Sequence, residues 1–315
     1  MQILGQTNFN FTKWRWHAIA LSAAVIVVGI GQIIMQGGPK LGVDFSGGTA
    51  LVLRFDRPVT EDAVRNALSS LGGDETVQRY GQPADNEVLI RLPQKVQVES
   101  GTTLDDAADK VDGLIRQANL GSFTRESTEI VGPVVGQDLQ KKGIYSTLTA
   151  IAGIMIYIGL RFRFTFAIGA IVATLHDVLV ALVFLNWFGY DLSLNIVASL
   201  LTMTGYSVND TIVVFDRVRE NARTMRKDNL DMQVNTSVNQ TLSRTVITAG
   251  TTFLAVFGLY MYGGEVLEGF AFTMLVGIVS GTYSTVFIAS AIAILLTKQP
   301  PAQATAAAKR ERAKA

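Results

Sequence analysis

Cysteine is absent from the 315 residues, which excludes a disulfide framework and any thiol or Cys-rich metal chemistry. Histidine occurs twice, too seldom for a metal-ligand cluster. There is no nucleotide-binding glycine loop, and no serine nucleophile stands beside its base in a recognisable motif. The expectation is a protein that is not an enzyme and takes no cofactor. Lys and Arg number 27 against 26 Asp and Glu, without a basic stripe interleaved with stacking aromatics, so nucleic acid is not a partner. Charge itself is scarce. With 17% charged and 49% hydrophobic residues, the latter bunched into long runs, the chain reads as an integral membrane protein.

Residues 1–15 are polar, end on Lys13 and Arg15, and read as a cytoplasmic tail. The apolar run that follows is too long for a signal peptide and lacks a small-residue cleavage pattern. It predicts an uncleaved transmembrane helix over 16–35, anchored by Trp14 and Trp16. Residues 37–142 regain charge and switch between period two and period 3.6, as a water-soluble domain does. Leu51, Leu53 and Phe55 alternate as a strand, and Val64, Leu68 and Leu71 sit at helical spacing. Residues 76–80 and 87–92 read as a hairpin across Pro83 and Asn86. Leu104, Ala108, Val111, Ile115 and Ala118 mark a second helix stopping at Gly121, and 123–130 supply the last strand. This βαββαβ order is that of the ferredoxin-like split βαβ fold. The preceding LGVDFSGGT (41–49) is neither a P-loop nor a G-x-G-x-x-G element and reads as a tight membrane-to-strand connection.

From residue 143 the chain is mostly apolar, with spans expected at 143–160, 164–188, 191–215, 246–262 and 270–296. The fold class is therefore an α-helical integral membrane protein with six transmembrane helices (1+5) and an α+β ferredoxin-like domain. A cytoplasmic loop covers 216–245, where Leu230, Val234, Val238 and Leu242 predict a narrow amphipathic helix that packs on the membrane or the bundle floor. Residues 297–315 lack apolar periodicity and are expected to be disordered. Lys13, Arg15, Arg161, Arg163, Arg217 to Lys227 and Lys309 to Lys314 all fall on one side. The turns at 189–193 and 263–269 hold no Lys or Arg, so both termini are expected in the cytoplasm and the domain outside.

Polar residues inside the spans are the candidate functional groups. Asp210 follows Asn209 in an apolar run, about 9 Å deep when counted back from Asp216 at about 1.5 Å per residue. An Asp at a helix centre sits at about +2.5 to +3.5 kcal/mol, so such acids are read by default as parts of an ion or proton path. Its helix carries a polar face in Ser199, Met203, Tyr206 and Asp210, read as bundle-facing. Arg244 enters the following antiparallel span and can reach toward Asp210 with a fork suited to a carboxylate. His176 and Asp177 lie mid-span, but adjacent residues point to different helix faces and do not make a ready-made relay. A packing or hydrogen-bonding role is expected for them, with proton transfer by Asp177 left open. Gly269, Thr273, Gly277, Gly281 and Thr285 recur every four residues, a stripe for close helix approach either within the chain or to a second chain.

Five strings occur in order: LGVDFSGGT (41–49), VGPVVG (131–136), LHDV (175–178), GYSVNDTIVVFDRVREN (205–221) and SRTVITAGTT (243–252). On these the chain resembles the SecF family, part of the SecD/SecF group within the RND-like superfamily. The resemblance implies a multi-pass protein of the bacterial inner membrane. It would pair with SecD as a separate subunit, associate with the SecYEG translocon, and use the proton-motive force to complete export of unfolded preproteins. It also implies a proton path through Asp210 and Arg244, with Asn209 the other member of the matching pair. A carboxyl held between desolvation and a neighbouring guanidinium can take and lose a proton as a bundle alternates. Two alternatives stand beside this: a non-transporting assembly subunit, and an RND-type exporter of small molecules, for which a domain of about 100 residues leaves little room for a pocket.

Overall fold

The computed structural model describes residues 7–71, 75–81, 84–93 and 106–297. Pro83 of the expected hairpin, Leu104 of the expected second helix and residues 298–315 of the expected tail lie outside them. Helix α1 (Arg15–Met35) leads through a single turn, α2 (Val43–Ser46), into a four-stranded sheet. Its strands β1 (Gly48–Phe55), β2 (Thr76–Tyr80), β3 (Glu87–Pro93) and β4 (Phe123–Val131) are antiparallel, in the order β2-β3-β1-β4. Alternation along β1 decides which side is covered. Leu51, Leu53 and Phe55 meet Val64 and Leu68 of α3 (Glu61–Leu68) and Val111 and Ile115 of α4 (Asp106–Gln117), while Ala50 and Val52 turn the other way onto Val43 and Leu89.

The bundle comprises α5 (Pro133–Arg161), α6 (Phe164–Trp187), α7 (Leu194–Thr224), α8 (Leu230–Tyr262), α9 (Glu265–Ser284), a π-helical turn (Thr285–Ala289) and α10 (Ser290–Leu296). Among the described residues, 5 helical segments are long and apolar enough to cross a membrane: Thr12–Met35, Val134–Arg161, Phe164–Trp187, Leu230–Tyr262 and Val266–Leu296. The expected span at 191–215 falls on the more polar α7, 31 residues long, which is not among them.

Several boundaries differ from expectation. Helix α5 starts at Pro133 instead of 143, because β4 ends at Val131 and proline suits a first helical position. Helix α8 is continuous from Leu230, so the expected amphipathic segment and the span 246–262 are one helix, and the expected loop 216–245 shrinks to 225–229. Propagating an existing helix is favoured over starting a new one, and burial of Val234 and Val238 holds the extension down. The small-residue stripe faces inward. A Cβ on Gly277 would lie 2.5 Å from Sδ of Met203, and one on Gly281 would lie 2.8 Å from Cβ of Ser207, so α9 packs on α7 at near-backbone contact.

The sheet is clamped to one end of the bundle. Gly42 N–H donates to the Leu192 carbonyl (2.9 Å), Leu192 N–H to the Lys40 carbonyl (2.7 Å) and Leu194 N–H to Oδ2 of Asp44 (2.9 Å). Gly47 turns the chain into β1 at φ +67°, a conformation that favours glycine. Arg91 of β3 is ion-paired with Asp191, and Tyr190 donates to Oε1 of Glu268 at 2.6 Å. Burial, reinforced by the Glu268 hydrogen bond, pushes the Tyr190 phenol well above its ordinary range. At the opposite end Arg15 is ion-paired with Asp231, Asn235 and Asn239 bind the backbone of Phe9 and Phe11, and Arg161 holds both carboxylate oxygens of Asp216.

Candidate functional site

Two polar centres lie inside the bundle, about one turn apart along α7. The first is Asp210. Its Oδ1 accepts from Thr245 Oγ1 of α8 at 2.9 Å, while Oδ2 is buried and has no hydrogen-bond partner among the described residues. A buried acceptor left unpaired costs about 1–3 kcal/mol, more for a charge, so this oxygen has room for a donor from outside the described residues. Thr245 reaches the carboxyl because it is buried, whereas Arg244 beside it is exposed. Among the described residues no ion pair joins Arg244 to Asp210.

Of the polar face expected to point into the bundle, Ser199 and Met203 are fully buried, and Tyr206 and Asp210 only in part. The fully buried line of α7 runs through Ser199, Met203, Ser207 and Thr211, because the glycines of α9 press on Met203 and Ser207. Tyr206 and Asp210 are half-buried at its border, and Thr202, Gly205 and Asn209 are exposed. Thr211 and Thr285 share a hydrogen bond of 2.8 Å where the π-helical turn begins, and Ser290 donates to the Thr285 carbonyl at 3.0 Å. Such turns interrupt the helical ladder and are frequent at functional sites.

The second centre is Asp177, fully buried on α6. Its Oδ2 accepts from Ser207 (2.5 Å) and Ser284 (2.8 Å), and its Oδ1 from Ser280 (2.6 Å). His176 and Asp177 converge despite their adjacency: Nδ1 lies 3.0 Å from Oδ1 of Asp177. The ring is held from behind by Ser22 at 2.9 Å from Nε2 and by stacking on Tyr283, which overrides the divergence that backbone geometry alone suggests. Beside the ring opens an apolar cavity of about 460 Å³, lined by Leu21, Val25, Phe184, Phe253 and Val279.

Ser22 and Tyr283 carry no sequence signal, and Ser207 and Thr245 lie within the strings at 205–221 and 243–252 with nothing to set them apart from the hydroxyls beside them. Ser280 and Ser284 share one helix face at i, i+4, beside the small-residue stripe, and that spacing is the one available clue.

Residues 111–299 match the family described as protein export membrane protein SecD/SecF, C-terminal, and residues 33–59 match the SecD/SecF GG motif. The chain is 40% identical over 303 residues to the protein translocase subunit SecF of Thermodesulfovibrio yellowstonii, covering 95% of this chain and 98% of that one. To the SecF of Escherichia coli O157:H7 it is 37% identical over 293 residues, covering 93% and 89%. Among solved structures it is similar to SecDF of Thermus thermophilus, described as a translocon-associated membrane protein, with TM-score 0.82 and 32% identity. That match covers 93% of this chain and 39% of the SecDF chain, so the present chain spans about two fifths of its length.

Proposed function

The chain belongs to the SecD/SecF family of protein export membrane proteins, and from that membership we propose that it is the SecF-type subunit of a proton-driven Sec export machine. Asp210 carries the proton reading: a carboxyl among apolar helices with one oxygen on Thr245 and the other buried without a partner. A proton on Oδ2 neutralises it. Once the proton leaves, Arg244, next to Thr245 on α8, is the nearby charge to turn to, and Asn209 lies on the open side of the same turn. One charge crossing 100 mV is worth about 2.3 kcal/mol, enough to bias a two-state rearrangement of α7. The first residue of α7, Leu194, is bonded to Asp44 at the foot of the sheet domain, so a shift of α7 pulls on that domain.

In this reading α7 also crosses the membrane, as the fourth of six spans. At 31 residues and about 1.5 Å each it exceeds a hydrocarbon core of about 30 Å. The strand order supports a ferredoxin-like domain, extracytoplasmic in a bacterial inner-membrane protein with both termini in the cytoplasm. Thr202, Gly205 and Asn209 of α7 and Thr248 and Thr251 of α8 form an exposed polar and small-residue face that lipid covers poorly, which supports SecD packing there as a separate subunit. SecYEG and an unfolded preprotein complete the set of partners, and the role is not enzymatic.

Vesicles carrying this chain with SecD and SecYEG test the reading. An imposed proton gradient should accelerate completion of preprotein export, and an uncoupler should abolish the increment. An increment that survives the uncoupler contradicts proton coupling and leaves an assembly subunit.

A further inference from the structure

Among the described residues His176 and Asp177 make no hydrogen bond to Asp210. We propose that they form a second proton-binding centre, in which one proton lies between Nδ1 of His176 and Oδ1 of Asp177, and whose occupancy controls the hydrogen bonds joining α1 to α9. The number of hydrogens in the cluster requires it. Tyr283 of α9 gives its single hydroxyl hydrogen to the Ala18 carbonyl of α1 (2.7 Å), and Ser22 of α1 gives its own to the Tyr283 oxygen (3.1 Å). Ser22 can then only accept from His176, so Nε2 carries a hydrogen. Nδ1 faces Oδ1 of Asp177 at 3.0 Å, and the carboxylate already receives the hydrogens of Ser207, Ser280 and Ser284. Two bare acceptors at that distance repel. One further proton resolves the contact, as imidazolium on carboxylate or imidazole on carboxylic acid, and it belongs to the pair.

Removing that proton has a structural consequence. The ring keeps one hydrogen, which must move to Nδ1 to hold the Asp177 carboxylate, and Nε2 is left bare. Ser22 must then donate to Nε2, which takes its hydrogen away from Tyr283. If Tyr283 turns to Ser22 instead, the bond to Ala18 is lost. Either way, one of the two hydrogen bonds between α1 and α9 disappears.

The surroundings keep the exchange unshielded. The 460 Å³ cavity beside the ring is apolar, so each hydrogen bond counts for more than it does in water. The groups facing the pair are Ser22 from α1, Ser207 from α7 with Asp210 one turn beyond, and Ser280, Ser284 and Tyr283 from α9; α8 contributes Phe253 to the cavity wall. Arg15 of α1 is engaged by Asp231. The centre stands whether or not Asp210 carries protons.

The chain has 2 histidines, so His17→Gln leaves the imidazole of His176 alone to observe. With nitrogen-15 histidine in the full chain in lipid nanodiscs, NMR between about pH 5 and 9 should show His176 lose one ring hydrogen as the pH rises. In Asp177→Asn the step should vanish or move. In Tyr283→Phe, Ser22 is free to serve Nε2, so at a given pH a smaller share of the rings should carry both hydrogens than in the parent. A ring whose hydrogens do not change over the range, or a step unmoved by Tyr283→Phe, overturns the proposal.

Discussion

Ser207 donates its hydroxyl to Asp177 across 2.5 Å, from the turn of α7 that precedes Asp210. The contact exists because α9 lies almost backbone to backbone on the same stretch of α7, where Gly281 leaves room for Ser207 and for nothing larger. Helix packing and the polar centre are one feature of this bundle.

Gly281→Ala should therefore be damaging. The new Cβ would stand 2.8 Å from Cβ of Ser207 and 2.9 Å from its Oγ, forcing α9 off α7 and loosening the grip on Asp177. Overpacking of this kind costs about 1–3 kcal/mol. Thermal unfolding of the purified chain should show a lowered midpoint, whereas Gly205→Ala, whose Cβ would meet nothing within 4 Å, should leave it unchanged or raised.

Tyr190 predicts an alkaline limit. Burial, with the bond to Glu268, holds its phenol proton more tightly in the folded chain than in the unfolded one. The stability this gives is complete below the unfolded value of about 10 and declines as the pH rises beyond it. Unfolding followed against pH should show that decline in the parent and a weaker one in Tyr190→Phe.

Orientation is open to labelling, with no native cysteine to remove. Ser122→Cys in the sheet domain should react with an impermeant thiol reagent in intact cells, and Lys227→Cys between α7 and α8 should not. The reverse pattern contradicts an external domain.

Legibility in the sequence followed how rare each signal is. Leu51, Leu53 and Phe55 announce their strand because strict alternation seldom arises otherwise, and all three are in the domain core. Apolar runs reveal that helices exist but not where they end, since Pro133 and Leu230 begin turns that hydropathy does not mark. Asp210 stands out because a charge in an apolar run is costly. Thr245 and Ser207 do not, because hydroxyls are ordinary there: Thr251 and Thr282, in similar settings, bond to their own helix carbonyls four residues back. Which hydroxyl meets a carboxylate depends on helix rotation, and that is fixed by the glycine contacts between α7 and α9.

Asp210→Asn is the most direct test of the proton account, because it keeps the shape and most hydrogen bonding to Thr245 while removing the titratable group. The variant should assemble with SecD at the parental level and lose the uncoupler-sensitive part of preprotein export. Asp216→Asn, which disturbs a part-exposed pair with Arg161 worth about 0–1 kcal/mol, should retain it. Full proton-driven export by a normally assembled Asp210→Asn protein would contradict the account.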